Sequence, residues 1–241
     1  MPSLFDLVLA WIVTFGAAAL QGSIGFGFAV LSVPLLTLVD PALTPIPQIF
    51  LALPMAVAAL WRERTRLDVS GIGWIVAGRI PGAFLGAWIL TRIDERLLSV
   101  IIAVVVIGAV VAIARGLTIR LDRTNRIVAG LISGFTGTTA AIGGPPLALL
   151  YRDADGGLVR SSLGAIFTIG IVINLTLLGF TGAIRSHDLF VAGLLAPAMA
   201  AGFAVSGRLL HRVEGRVVRT GILVVSAIAA AGLLVQVLVG S

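Results

Sequence analysis

The chain alternates between long apolar runs and short polar stretches. The apolar runs cover roughly residues 4–39, 46–61, 71–90, 97–114, 127–151, 162–182, 189–206 and 220–239. A helix needs about 20 apolar residues to cross the hydrocarbon core of a bilayer. Most of the runs are close to this length. The pattern therefore predicts an all-α polytopic membrane protein, with a single transmembrane domain over residues 1–241.

Two of these runs are interrupted by glycine and proline. The first, 4–39, is too long for one crossing and contains the glycine-rich stretch Gly22–Phe28. The run 127–151 contains Gly134–Thr139 and then Gly143–Pro146. It is too short for two full crossings and suits a re-entrant hairpin. Irregular backbone at this depth must be buried in protein or line a watery cavity.

The two interrupted runs also resemble each other. A shift of 112 positions aligns their glycines, as at Gly22 and Gly134. A shift of 120 aligns Thr91–Leu98 with the segment that starts at His211. Two matches in the same order predict an internal duplication, in which each half has one broken element followed by three spans. The halves are about residues 1–115 and 116–241.

The positions of arginine distinguish two topologies. If every run crosses once, the loops on the two sides carry equal numbers of Arg, although cytoplasmic loops usually carry an excess. If each broken run enters and leaves on one side, thirteen of the 17 Arg share a side. They lie in loops 62–70, 115–126, 152–160 and 208–219. The second topology predicts two inverted repeats, each a re-entrant helical hairpin plus three transmembrane helices, with these loops cytoplasmic and both termini periplasmic. Eight simple spans with kinks are the alternative.

Composition excludes several classes of function. The chain is 59% hydrophobic and only 12% charged, which excludes a soluble globular enzyme. All 17 basic residues are Arg and there is no Cys, so Schiff-base lysine chemistry, disulfides and thiol chemistry are excluded. Two histidines are too few for a His-based metal site. No membrane-enzyme motif such as His-Glu-x-x-His is present, so we expect no catalysis, no cofactor and no metal. The net charge of +6 lies mainly in short loops, which favours membrane anchoring over nucleic-acid binding.

The glycine-rich breaks are the first candidate binding site. A helix that restarts inside the membrane points free N–H groups and its positive dipole end toward the break. Two breaks from inverted halves can meet near the midplane and form one anion site. The candidate residues are the glycines and hydroxyls of the two breaks: Ser23, Gly25, Gly27, Ser133, Thr136, Gly137, Thr138 and Thr139. The alternative is that Gly22, Gly25, Gly134 and Gly137 only let helices pack closely.

Arg79 is the second candidate, because it is the one Arg outside the predicted loops. Trp74 and Trp88 flank its run and place Arg79 near the centre of the span. A membrane-embedded Arg is costly and usually faces a cavity or a partner. Since no run contains a central Asp or Glu, an anionic substrate is a candidate partner. The alternative is that the side chain extends toward the Trp74 end to reach the interface.

Other polar residues inside the runs include Gln48 and Asn174. Either side chain can hydrogen-bond a substrate or link two helices. Proton-driven carriers commonly relay protons through membrane carboxylates or histidines. Since the runs lack such groups, we expect any proton to move on the substrate or through a peripheral residue. The peripheral candidates are Asp6, Asp40 and His187.

The glycine-rich break followed by Pro-Leu-Leu, over Gly22–Leu36, resembles the TauE/SafE sulfite-exporter family. Its repeat at Gly134–Leu149 and the stretch Pro81–Gly86 are similar to the family as well. The resemblance implies a bacterial inner-membrane transporter of sulfur oxyanions or small organosulfonates, often an exporter. The family's triple-glycine run is broken here, by Phe26 in the first repeat and by Thr138-Thr139 in the second.

The sequence therefore predicts a multi-pass secondary transporter that exports small anions such as sulfite. An anion channel is the main alternative, followed by a membrane enzyme or an assembly subunit. The expected partners are a small anionic substrate and the lipid bilayer, with a homodimer as a further possibility and no nucleic acid.

Overall fold

The structure is a computed structural model, which describes residues 4–25, 27–63, 67–152, 154, 156–209 and 215–239. This part of the chain forms helices and contains no strand, which confirms the all-α prediction. The helices are α1 Leu4–Ile24, α2 Phe28–Val39, α3 Ile46–Glu63, α4 Val69–Leu90, α5 Glu95–Ala114, α6 Arg123–Thr139, α7 Gly144–Leu150, α8 Gly156–Phe180, α9 Ser186–Leu209 and α10 Gly215–Val239, with a short 3-10 turn at Pro41–Leu43.

Six of the described helices are long and apolar enough to cross a membrane: α1, α3, α4, α5, α8 and α9. Large apolar side chains such as Phe84 and Trp88 on α4 are exposed, because the outer surface of the bundle faces lipid rather than water. The prediction of a multi-pass membrane protein is confirmed.

Aspartate side chains set the starts of three helices. Asp68 accepts a hydrogen bond from the Gly71 N–H at 2.9 Å at the start of α4. Asp94 and Asp122 cap α5 and α6 in the same way. Each such cap contributes about 1 kcal/mol, since it satisfies a backbone donor that the helix leaves free. These acidic residues therefore mark the ends of spans rather than their interiors.

The first predicted break is shorter than Gly22–Phe28. Helix α1 continues through Gly22 to Ile24, and α2 begins at Phe28. Gly25 and Gly27 have φ angles of 87° and 115°, a region in which a side chain is strained. The reversal of the chain therefore depends on these two glycines.

In the second run, the interruption predicted at Gly134–Thr139 is wrong, because α6 is helical throughout these residues. The hydroxyls of Thr136, Thr138 and Thr139 each donate to the carbonyl four residues earlier, as helical Ser and Thr often do. The chain instead breaks over residues 140–143, where Ala141 has a φ of 58°. The prolines of Gly143–Pro146 lie in the first turn of α7, the part of a helix that needs no N–H from them.

Both ends of the α6–α7 segment lie at Asp68, at the start of α4. The Asp68 carboxylate pairs with Arg126 of α6 at 2.7 Å and accepts a hydrogen bond from the Tyr151 hydroxyl, just after α7, at 3.2 Å. Burial and the Asp68 charge raise the pKa of the Tyr151 phenol, so it stays protonated and can donate. The segment therefore returns to the end of the bundle from which it started, which we call the Asp68 end.

The α1–α2 segment starts and finishes at the opposite end of the bundle. Leu7 of α1, Leu43 of the turn after α2, and His187 line one small cavity there. The helix contacts also relate the two halves of the chain. Helix α1 of the first half packs on α9 of the second, and α6 of the second half packs on α4 of the first. Helices α3 and α8 form a pair, as do α5 and α10, so exchanging the halves reproduces the main pairings.

Candidate functional site

A cavity of about 60 Å³ lies where the two interrupted segments meet. A water molecule needs about 10–15 Å³ of such volume, so the cavity has room for a few waters or one small ion. Its wall combines both breaks with the middles of three helices. The lining includes Gln21, Gly27, Phe28, Ala29 and Val30 from the first break, Gly137 and residues 141–144 from the second, Ile49 and Ala52 of α3, Arg79 of α4, and Phe167, Ile171 and Asn174 of α8.

Arg79 is the charged residue of this wall, and its side chain is 1% exposed. One of its terminal nitrogens donates to the Ser133 Oγ at 2.7 Å, and the Ser133 hydroxyl donates to the Gly143 carbonyl. The chain of two hydrogen bonds ties α4, α6 and the second break together. Arg79 therefore points into the protein and does not extend toward the interface at Trp74.

The positive charge of Arg79 has no carboxylate counterpart in the cavity. Among the described residues, no Asp, Glu or His lines it and the Arg79 Nε has no hydrogen-bond partner. Burying a charge without a partner costs several kcal/mol. An anion in the cavity would offset that cost, so the arrangement suits the binding of one negative charge.

Asn174 is the second polar side chain with unused capacity. It is 1% exposed, and its Oδ1 has no hydrogen-bond partner in the described part of the chain. Asn174 and Arg79 both lie close to Gly137. A methyl group at Gly137 would lie 3.3 Å from the Asn174 Nδ2 and 3.4 Å from an Arg79 terminal nitrogen. A side chain at position 137 would crowd both groups, so the glycine keeps this corner of the cavity open.

Backbone donors from α2 complete the wall. The Phe28 N–H donates to the Gln21 Oε1 at 3.0 Å. Ala29 and Val30 also line the cavity, and their N–H groups have no acceptor within α2 because they lie in its first turn. Helix α7 offers fewer donors, since Pro145 and Pro146 lack an N–H. The first break therefore presents the more positive helix end to the cavity.

Several predicted site residues lie outside this wall. Ser23 donates to the Ala19 carbonyl, and Gln48 bonds Ser32 and the Leu43 carbonyl. Gly25, Thr136, Thr138 and Thr139 do not line the cavity either, and the three threonine hydroxyls donate within α6. The structure brings Arg79, Gly27, Gly137 and Asn174 together in the wall, with Ser133 directly behind Arg79.

Two glycines of the breaks also serve helix packing. A methyl group at Gly134 would overlap the Arg79 carbonyl oxygen, and one at Gly22 would overlap Ser206 of α9. These residues therefore let helix backbones approach closely, as the alternative interpretation expected.

Sequence reasoning identified Gln21 only as a polar residue inside a run, without assigning it to the site, and missed Gly170. Gln21 lies one helical turn before Gly25, and a polar residue next to a glycine break is a usable signal. Gly170 of α8 lies directly beneath the Arg79 guanidinium. Nothing in the sequence distinguishes it from other glycines, because its role depends on how α4 packs on α8.

Gly170→Ala is expected to reduce anion flux by about tenfold or more without unfolding the protein. The added methyl group would overlap the Arg79 guanidinium, which is the mobile end of a long side chain and can move aside. Losing one charge-assisted hydrogen bond of about 1.5–3 kcal/mol accounts for that factor. Flux in proteoliposomes and the Tm in detergent measure the two effects.

Gly193→Ala is the matched control, because a methyl group there meets no atom within 4 Å. It should retain wild-type flux. Wild-type flux in Gly170→Ala would show that the position of the guanidinium does not matter.

Comparison with known proteins agrees with this architecture. The chain matches the family model described as "Sulfite exporter TauE/SafE" over residues 10–233, which is nearly its whole length. No curated protein and no solved structure matches it. On the strength of that match, the chain belongs to the TauE/SafE sulfite exporter family, a family of membrane transporters.

Proposed function

We propose that the protein is a secondary transporter that exports small sulfur oxyanions or organosulfonates, such as sulfite, across the bacterial inner membrane. The observation that carries this proposal is the buried Arg79, which has no carboxylate partner among the described residues that line the small cavity between two interrupted helices. One fixed positive charge, the free first-turn donors of α2 and the Asn174 amide supply the contacts that a small oxyanion needs. Because no carboxylate lines the described wall, no carboxylate there competes with the substrate for the Arg79 charge.

The pattern of helix contacts supports two inverted repeats, with halves of about 1–115 and 116–241. The two hairpins start from opposite ends of the bundle, and exchanging the halves reproduces the main helix pairs. Such repeats commonly rock against each other around a central site, which gives alternating access. Arg79 has no counterpart in the second half. When Pro81 of α4 is aligned with Pro197 of α9, Arg79 aligns with Leu195, so one half alone supplies the charge.

A second, larger cavity supports an access route from the end opposite Asp68. It has a volume of about 560 Å³ and is lined by polar residues of three connecting segments, including Thr44, Thr91 and Arg185. Ile46 of α3 lines this cavity, and Ile49, one helical turn further, lines the central one. The short distance along α3 between the two cavities suits a conformation in which the central site is nearest to the end opposite Asp68.

Cysteine labelling is expected to place the Asp68 end in the cytoplasm. Arg152 donates to the Leu117 carbonyl at 3.3 Å, so the Arg-rich loops 115–126 and 152–160 lie together at the end that also holds Asp68. Residues 210–214 of the loop 208–219 lie outside the described residues. The native chain has no Cys. In intact cells an impermeant maleimide should label Thr181→Cys, near the larger cavity, but not Leu117→Cys.

Permeabilised cells provide the control, because both sites should then react. Labelling of Leu117→Cys alone in intact cells would reverse the proposed orientation. Labelling of both in intact cells would contradict the placement of the two loops on opposite sides.

Flux into proteoliposomes tests the function itself. A carrier gives saturable sulfite uptake that is accelerated by unlabelled sulfite on the opposite side. A channel gives a conductance that neither saturates nor shows counterflow. Empty liposomes control for leakage. Absence of uptake and of binding for sulfite and for small sulfonates would refute the proposed substrate class.

A further inference from the structure

Gln21 connects the two helices on either side of the first break. Its backbone carbonyl accepts a hydrogen bond from the Gly25 N–H at 2.8 Å, and its side-chain Oε1 accepts one from the Phe28 N–H at 3.0 Å. The residue before α2 is Gly27, which has no side chain that could accept from the first N–H groups of this helix. Gln21 therefore supplies, from α1, the cap that α2 lacks.

The bond to Phe28 fixes the orientation of the Gln21 amide. A backbone N–H can only donate, so the atom beside Phe28 is the amide oxygen, and the Nε2 is the group left over. Among the described residues the Nε2 has no hydrogen-bond partner. It still does not belong to their buried side-chain atoms that lack a partner, so water can reach it. Since Gln21 is 9% exposed and lines the central cavity, these two N–H groups are available to a molecule bound there.

The corresponding residue of the second half explains why the Nε2 is free. The shift of 112 positions that aligns the two interrupted runs places Gln21 on Ser133. Ser133 also bonds the break that follows it, through the Gly143 carbonyl, and its remaining capacity is taken by a terminal nitrogen of Arg79. In the other half Leu195 stands in place of Arg79. Gln21 therefore has no equivalent charged partner.

We propose that Gln21 is a further substrate-binding residue, whose Nε2 donates to an oxygen of the bound anion while its Oε1 holds the start of α2. The oxygens of a sulfur oxyanion are acceptors, so they suit both this neutral donor and the charged donors of Arg79. The free first-turn N–H groups of α2 lie next to the Phe28 N–H that Gln21 holds. The inference rests on the proposed function and adds a residue from the first break to its binding site.

Glutamine side-chain NMR tests this contact in the wild type, because the chain has three glutamines. Full-length protein labelled with ¹⁵N in the glutamine side chains is titrated with methanesulfonate, which stays singly charged near neutral pH. The Gln21 amide signals should move downfield and saturate with the Kd that calorimetry gives for the same sample. The signals of Gln48, which does not line the cavity, and of Gln236, which is exposed on α10, should stay in place.

Two substitutions separate contact with the anion from a role in capping alone. Gln21→Glu keeps an oxygen for the Phe28 N–H but replaces the Nε2 donors with a charged oxygen. Its affinity for methanesulfonate should fall about 100-fold or more, because two like charges would face each other. Gln21→Met has a similar length and neither group, and it should bind about tenfold more weakly than the wild type, as expected for one lost hydrogen bond to a charged group.

A role in capping alone predicts the opposite order. Gln21→Glu would then bind as tightly as the wild type, and Gln21→Met would be the weaker of the two variants. Gln236→Glu is the matched control, because it makes the same chemical change on an exposed side chain of α10 that does not line the cavity. It should keep the wild-type affinity.

The outcomes separate this inference from the proposed function. If the Gln21 signals stay in place while calorimetry shows binding, or if Gln21→Glu binds as tightly as the wild type, the contact with Gln21 is refuted while anion transport stands. If neither methanesulfonate nor sulfite binds the wild type, the proposed function fails. Should either variant not fold, the titration of the wild type decides alone.

Discussion

Arg79→Ala is expected to lower anion flux by at least about 10- to 100-fold while leaving the protein folded. A hydrogen bond to a charged group contributes about 1.5–3 kcal/mol, and about 1.4 kcal/mol is a factor of ten. The substitution removes a buried charge that has no carboxylate partner in the described wall, so it leaves no buried anion unpaired. Ser133 keeps its hydrogen bond to the Gly143 carbonyl. Flux and Tm, measured on the same preparation, separate function from folding.

Two further variants sharpen this prediction. Arg79→Lys should recover only part of the flux, because lysine keeps the charge but lacks the planar fork of guanidinium donors. Arg92→Ala should be nearly silent, since Arg92 is exposed and, within the described residues, interacts with the ring and the carbonyl of Trp88. Wild-type flux in a well-folded Arg79→Ala would show that the buried charge does not bind the substrate.

The architecture was predictable because the bilayer imposes a length on each helix. Apolar runs of about 20 residues between polar loops gave the spans, and charged residues at their ends became caps such as Asp68 and Asp94. The position of the second break was not predictable in the same way. Glycines and threonines at 134–139 are compatible with both a break and a close helix contact, and the packing of α6 on α4 favours the helix.

The residues of the candidate site were also predictable only in part. Arg79 stood out in the sequence because a charge within an apolar run is expensive. Asn174 was visible as a polar residue in a span, but its unpaired Oδ1 depends on what α8 faces. The hydroxyls of Ser23 and Thr136 suggested oxyanion donors by composition. A helical backbone offers such hydroxyls a nearby carbonyl, which takes up their donor capacity.

Gly82→Ala is expected to destabilise the protein strongly, by about 1–3 kcal/mol or more, and to lower its Tm by several degrees. Gly78, Gly82 and Gly86 recur every four residues along one face of α4, against the backbone of α6. A methyl group at Gly82 would overlap the Leu131 carbonyl oxygen, which belongs to the backbone and cannot rotate away. The two helices would have to separate, and dispersion contacts along the whole pair would be lost.

The site should fail together with the fold in this variant. Gly82 lies one turn from Arg79, and α6 carries Ser133, so separating α4 from α6 would break the hydrogen bond that positions the guanidinium. Gly108→Ala in α5 is the control, because a methyl group there meets no atom within 4 Å, and its Tm should match or exceed that of the wild type. If Gly82→Ala retained both the wild-type Tm and flux, the close backbone contact between α4 and α6 could not be what holds Arg79 in the cavity.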